Sequence, residues 1–139
     1  MFVSSSRDGQ VYITDVSSQT GGYLVKVTID NGRFIGRKRL TGGMDALRPQ
    51  YSDQAHPCIA PDGSYLLFDV GGGNHLFVCF KKIDGTWGEA IDLANHGFDK
   101  MAGGATISHD GKYLFFHLNG DIWWVNAKII EKLRPKELN

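Results

Sequence analysis

The sequence predicts an all-β fold, and three observations carry that prediction. The first is an internal repeat. Pro61-Asp62-Gly63-Ser64-Tyr65-Leu66-Leu67-Phe68 returns 48 residues later as His109-Asp110-Gly111-Lys112-Tyr113-Leu114-Phe115-Phe116, and self-similarity at such a period marks a fold built from one repeated unit. The second is turn chemistry. Asn31-Gly32, Asp62-Gly63, Asp84-Gly85 and Asp110-Gly111 lie between strand-like runs, where Gly supplies the positive φ of a tight hairpin. Gly accounts for 18 of the 139 residues, nearly twice the usual share of about 7%. The third is strand polarity: Leu66-Leu67-Phe68, Leu76 to Phe80 and Leu114-Phe115-Phe116 are apolar at consecutive positions, whereas a half-buried antiparallel strand alternates. Strands covered on both faces, grouped four to a unit of roughly 40–50 residues, describe the blades of a β-propeller.

Each element follows from this frame. In the first copy, Phe2-Val3-Ser4-Ser5 aligns with the Tyr-Leu-Leu-Phe strand of the repeat, and Tyr23-Leu24-Val25-Lys26-Val27 with the strand after it. On that alignment the first blade lacks its innermost strand. Asn31-Gly32 and Asp84-Gly85 occupy equivalent places, each followed by an aromatic (Phe34, Trp87) and later by a Leu (Leu40, Leu93). The second copy runs through Pro57-Cys58-Ile59-Ala60, Tyr65 to Phe68 and Leu76 to Phe80; the third through Ala105-Thr106-Ile107-Ser108, Tyr113 to Phe116 and Ile122-Trp123-Trp124-Val125. The third lacks a fourth strand, because Ile129, Ile130 and Leu133 fall on one face of a helical turn that Pro135 stops. The expected organisation is one domain over residues 1–139, with blades near 1–43, 44–95 and 96–139.

The stretch from Pro57 to Phe68 resembles the repeat of the TolB-type, WD40-like β-propeller family. The resemblance is good over residues 55–130 and loose over 1–45, and the segment Asp121 to Lys128 is similar to the closing segment of such proteins, which implies a natural C-terminus. Members of that family act as protein-interaction platforms or carbohydrate-binding domains, often in or beyond the cell envelope. The resemblance therefore implies a binding module and no particular chemistry, since propellers host many functions.

Composition narrows the field. Fifteen Lys and Arg balance fifteen Asp and Glu, so no net charge attracts nucleic acid or an acidic membrane. No run approaches the roughly 18 apolar residues of a membrane helix, and no basic-then-apolar leader opens the chain. The cytoplasm is the default location, with the envelope kept open by the resemblance. Cys58 and Cys79 are expected to be reduced: on the first and third strands of one blade they stand nearly ~10 Å apart, too far for a disulfide.

Closed propellers have about 4–8 blades, and this sequence supplies about three. An open wedge leaves aromatic side chains where a next blade belongs, so the sequence predicts a homodimer in which two chains close a six-bladed ring. Phe2, Phe115, Phe116, Trp123 and Trp124 are its candidate interface residues. The alternative is a fragment of a longer propeller.

With strands running outward from the axis, the loops that enter each blade and those joining its second and third strands share one face. That face collects residues 44–56, 69–75, 95–103 and 117–121, with four of the five histidines. His56, Asp69, Asn74, His75, His117 and Asp121 are its candidate ligand-binding residues, for a protein or carbohydrate ligand, because loops on rigid scaffolds concentrate binding. Some propeller lyases acting on acidic sugars are similar in placing metal-binding histidines there, which makes a lyase or hydrolase the rival reading. No HxH, HExxH or CxxC spacing is present, so no metal, cofactor or catalytic residue is assigned, and His56 beside Pro57 is better explained by a structural hydrogen bond. Asp62 and Asp110 are turn residues that bond their own backbone. The Gly71-Gly72-Gly73 and Gly103-Gly104 clusters lack a phosphate-loop motif and read as close-approach loops. Arg33, Arg37, Lys38 and Arg39 on an outermost strand protect an edge rather than bind nucleic acid. A third reading is a decayed piece without selected activity.

Overall fold

Hairpin follows hairpin along the chain, and the resulting strands form three antiparallel sheets in sequence order. The computed structural model describes residues 2–17, 19, 21–72 and 74–138. The first sheet holds β1 (Val3–Ser5), β2 (Val11–Asp15), β3 (Tyr23–Asp30) and β4 (Arg33–Arg39), paired in that order. A short helix, α1 (Gly43–Ala46), leads to the second sheet of β5 (Gln54–Ile59), β6 (Tyr65–Val70), β7 (Asn74–Lys81) and β8 (Trp87–Asp92). The third sheet has β9 (Gly103–Ile107), β10 (Tyr113–Leu118) and β11 (Asp121–Asn126), followed by the helical turn α2 (Lys128–Glu131). The architecture is all-β and that of a partial propeller.

The first sheet corrects the sequence alignment. Phe2-Val3-Ser4-Ser5 leads into the innermost strand, not the second, and the second strand is Val11 to Asp15. The turn between them contains Asp8-Gly9, with Gly9 at φ 80°, a third copy of the Asp-Gly turns at Gly63 and Gly111. Val11-Tyr12-Ile13 is apolar like its counterparts, but Thr14 stands where they have Phe68 and Phe116.

Two layers of side chains hold the sheets together, and the second sheet contributes to both. From β6 and β7, Leu66, Phe68, Phe77 and Cys79 face the first sheet, where they join Tyr12, Leu24, Met44 and Trp87. Their neighbours Leu67, Leu76, Val78 and Phe80 face the third sheet, packing with Leu114, Phe116 and Ile130. Alternate residues of a strand point to opposite faces, so a strand clamped between two sheets is apolar throughout. Phe68 and Phe77 stack across the β6–β7 ladder at 5.9 Å between ring centroids. Cys58 and Cys79 lie in different layers as free thiols. Burial pushes them up, to about 11 and about 12 respectively, so both stay protonated and inert.

Two candidate interface residues sit differently from expectation. Phe116 is only 8% exposed: it points into the layer against the second sheet and packs on Phe98 at 5.3 Å. Phe2 is exposed, but it stands at the axial side of the molecule with its ring against His56. Phe115 and Trp124, opposite one another in the β10–β11 register, do face outward. Trp123 lies on the other face yet is also exposed, because β11 is the outer edge of the third sheet and no further strand covers it among the described residues. No helix of the described residues is long and apolar enough to cross a membrane.

Candidate functional site

Strand irregularities at the loop ends of the inner strands build the site. The β5–β6 register slips between Ala55 and Cys58, and within the slip His56 adopts a left-handed backbone, φ 49°, uncommon for a non-glycine residue. Such a bulge re-aims a side chain. The His56 ring turns to Asp69 on β6, with Nδ1 at 2.8 and 3.0 Å from the two carboxylate oxygens. The His56 backbone N–H donates to Thr14 Oγ1 of the first sheet at 3.2 Å.

Asp69 is wholly buried, at 0% exposure, and its carboxylate also accepts the Gly104 N–H of the third sheet at 2.7 Å. Burial drives its pKa upward; the bonds from Gly104 and His56, and the nearby charges of His56 and His117, oppose that rise without cancelling it. Gly104 is required twice over. Its φ is +57°, and a Cβ there would sit 2.8 Å from His117 Cδ2, so glycine lets the His117 ring lie close over the backbone. His56 and Asp69 thus pair within the second sheet, Gly104 ties the carboxylate to the third sheet beside the His117 ring, and Phe2 stands edge-on to His56 at 4.2 Å.

The other candidates lie elsewhere. His75, also left-handed at φ 64°, places Nε2 at 2.8 Å from Asp92 Oδ1 and Nδ1 at 3.4 Å from the Tyr51 hydroxyl. Its ring lies between Tyr51 and Phe77, and Asp92 also accepts the Ala94 N–H at 2.9 Å. This second cluster is anchored on β7 and β8, farther from the axis. Asn74 opposes Val70 and Asp121 opposes Leu118 at strand starts; no hydrogen bond ties either side chain to a cluster among the described residues. Gly73 lies outside the described residues. Sequence reading missed Thr14, Tyr51 and Asp92, and took Gly104 as part of a close-approach loop without its bond to Asp69. Only Asp92 carried a local signal, as an Asp capping the short turn Leu93–His96.

Between the innermost strands β1, β5 and β9 runs a cavity of about 240 Å³ lined by groups such as Ser4, Ser5, Ile59, Thr106 and Ile107. Arg7 closes its far end by donating to the His109 carbonyl at 3.2 Å. Phe2 stands between this cavity and His56, and the pair there offers one buried carboxylate already engaged by His56 and the Gly104 N–H. Among the described residues, no three His, Cys, Asp or Glu side chains gather as a metal ion would need. Asp69 fastens His56, and its bonds hold adjacent sheets in register.

No protein-family model matches the chain, and no curated protein matches it in sequence. Among solved structures, TolB from Acinetobacter baumannii is similar in fold, with a TM-score of 0.60 at 18% identity. The superposition covers 91% of this chain and 29% of TolB, so the chain spans less than a third of the length of that protein. At this level of identity the likeness concerns architecture alone, and the fold of this chain is TolB-like.

Proposed function

We propose that the chain is a non-catalytic binding module of propeller type, and that two copies associate to complete a six-bladed ring. The observation that carries this reading is the outer face of the third sheet. Tyr113, Phe115, Ile122 and Trp124 are all exposed there on one side of the β10–β11 ladder, and Trp124 is 62% exposed. Burying such a side chain is worth roughly 1.5–3 kcal/mol, and contiguous patches of this kind mark interaction surfaces. The outer face of the first sheet offers a complement. Arg37 and Arg39 project there from β4, opposite the buried Val27 and Val25 and paired with Asp15 and Asp45, and Arg39 already lies over the Tyr23 ring at 4.1 Å. Guanidinium groups pair well with the faces of Trp and Phe. Head-to-tail contact of third sheet on first sheet, made twice about a two-fold axis, closes a ring. The loop face that carries His56, Asp69 and His117 would then border a channel shared by both chains, open to a protein or carbohydrate ligand.

Light scattering behind a sizing column, over a tenfold concentration range, tests this. The expected species has twice the 15.4 kDa of the chain, and Trp124→Ser reduces it to a monomer without loss of folding. A wild-type monomer throughout overturns the two-chain ring.

The His56–Asp69 pair favours one second reading, a lyase or hydrolase in which the imidazole moves a proton while the carboxylate orients it. A specific loss of turnover in His56→Gln, on an acidic polysaccharide that the wild type cleaves, would establish it.

A further inference from the structure

Away from the axis, where β3 and β4 meet the β7–β8 hairpin, three lysines converge without an acidic partner. Lys26 and Lys38 stand directly opposite one another in the β3–β4 register. They share the face of Tyr12, which is turned to the second sheet. Like charges placed opposite in a ladder are destabilising. Lys81, at the end of β7, brings a third ammonium from the neighbouring sheet, 5.7 Å from the Trp87 ring centroid. Lys26 Nζ and Lys81 Nζ both donate to one atom, Gln10 Oε1, at 3.0 and 3.4 Å, and the Tyr12 hydroxyl donates to it as well, at 3.0 Å. One neutral carbonyl oxygen therefore serves three donors, two of them cationic.

The nearest carboxylate in this network, Asp8, accepts from the Ser6 hydroxyl and from Gln10 Nε2 instead. Other basic residues of the molecule do find anions: Arg37 pairs with Asp15, Arg39 with Asp45, Lys112 with Asp110 and Arg134 with Glu131. Among the described residues, Lys26, Lys38 and Lys81 form no such ion pair. The three ammonium-bearing side chains line an open cavity of about 250 Å³ with Trp87 in its wall.

We propose that this seam binds the phosphoryl group of a small phosphate monoester. Three lysines on separate strands act as point charges suited to a tetrahedral dianion. The arginine fork that matches a planar carboxylate is lacking, since Arg39, which borders the cavity, turns its guanidinium to Asp45 and the Tyr23 ring. The cavity leaves room beside the phosphoryl group for a small organic remainder. The site is built from outer strands, so it is separate from the His56 cluster and does not depend on ring closure.

Inorganic phosphate is the probe. Thermal unfolding at about pH 8, with NaCl holding ionic strength constant, is expected to show a saturable rise in Tm, as follows for any ligand that binds only the folded state. In the Lys26→Gln/Lys81→Gln double variant the half-saturating phosphate concentration rises at least tenfold. Without phosphate, that variant melts at or above the wild-type temperature, because a like-charge cluster has been relieved; this reading also establishes that it folds. Arg33→Gln, on the same sheet but outside the cavity, leaves the response unchanged. An equal response to acetate, a response set by ionic strength alone, or a phosphate response that survives in the double variant overturns the proposal.

Discussion

Tyr65-Leu66-Leu67-Phe68 on β6 and Tyr113-Leu114-Phe115-Phe116 on β10 are copies of one sequence pattern with opposite fates. Leu67 is 0% exposed, and its counterpart Phe115 is 36% exposed. Local propensity, turn chemistry and strand position are the same in both; only the neighbourhood differs. On β6 both faces meet another sheet, so odd and even residues each enter a core layer. On β10 the even residues Leu114 and Phe116 enter the layer shared with the second sheet, while Tyr113 and Phe115 face outward with Trp124. The same apolar pattern is thus buried on both faces in one copy and on one face in the other.

Substitutions that remove the same kind of side chain from each copy break this comparison most directly. Leu67→Ala should destabilise the chain by about 2–5 kcal/mol, since a fully enclosed leucine leaves a cavity behind; the midpoint of urea denaturation measures it. Phe115→Ala, at the equivalent position, should change the stability of the isolated chain by less than about 1 kcal/mol. Equal losses at the two positions would mean that Phe115 is covered within one chain. The Trp124→Ser variant sharpens the contrast, because its effect should fall on molar mass and reach the unfolding midpoint only through lost association, as a dependence of the wild-type midpoint on concentration that the variant lacks. Between Leu67→Ala and Phe115→Ala falls Gly104→Ala, expected to cost about 1–2 kcal/mol from its left-handed backbone and the displaced His117 ring.

The strand order of the second and third sheets was legible because Asp-Gly turns and apolar runs repeat with little change. The first sheet was not fully legible. Its second strand has Thr14 where the other copies have Phe68 and Phe116, so the match is weaker there and Phe2 to Ser5 aligns one strand too far out. Burial parity at Phe115 and Phe116 was fixed by alternation, but which of the two faced the neighbouring sheet depended on register. The His56–Asp69 pair was illegible for a further reason. Its partners lie on different strands, and they meet only because the ladder slips between Ala55 and Cys58 while His56 takes a positive φ. Gly104 completes the pair from a third strand through its backbone, which leaves no trace in side-chain chemistry. The lysine seam is hidden in the same way: Lys26, Lys38 and Lys81 come from strands that only cross-strand register brings together.

The smallest expected effect is electrostatic, and it separates the middle of the molecule from its surface. Burial holds the folded pKa of Asp69 above the ordinary carboxylate value of 3.8. A carboxyl with a raised pKa binds its proton more readily folded than unfolded, so its contribution to stability grows as pH falls through the folded pKa and levels off below 3.8. The exposed turn residues Asp8, Asp84 and Asp110 behave oppositely. Side-chain bonds from Ser6, Thr86 and Ser108 respectively, the largest cause in each, hold their pKa values below 3.8, and the stability they add above 3.8 is lost as pH falls through the lowered values. Asp69→Asn keeps the shape and an oxygen acceptor for Gly104 but removes the titration. The stability of the wild type relative to Asp69→Asn should therefore rise between pH 7 and pH 3, whereas relative to Asp110→Asn it should fall over the acid end of the same range. Urea midpoints at intervals of pH measure both differences. A pair of profiles with the same sign would show that the bonds from Gly104 and His56 outweigh burial at Asp69, so that the ionised carboxylate is the form the fold favours.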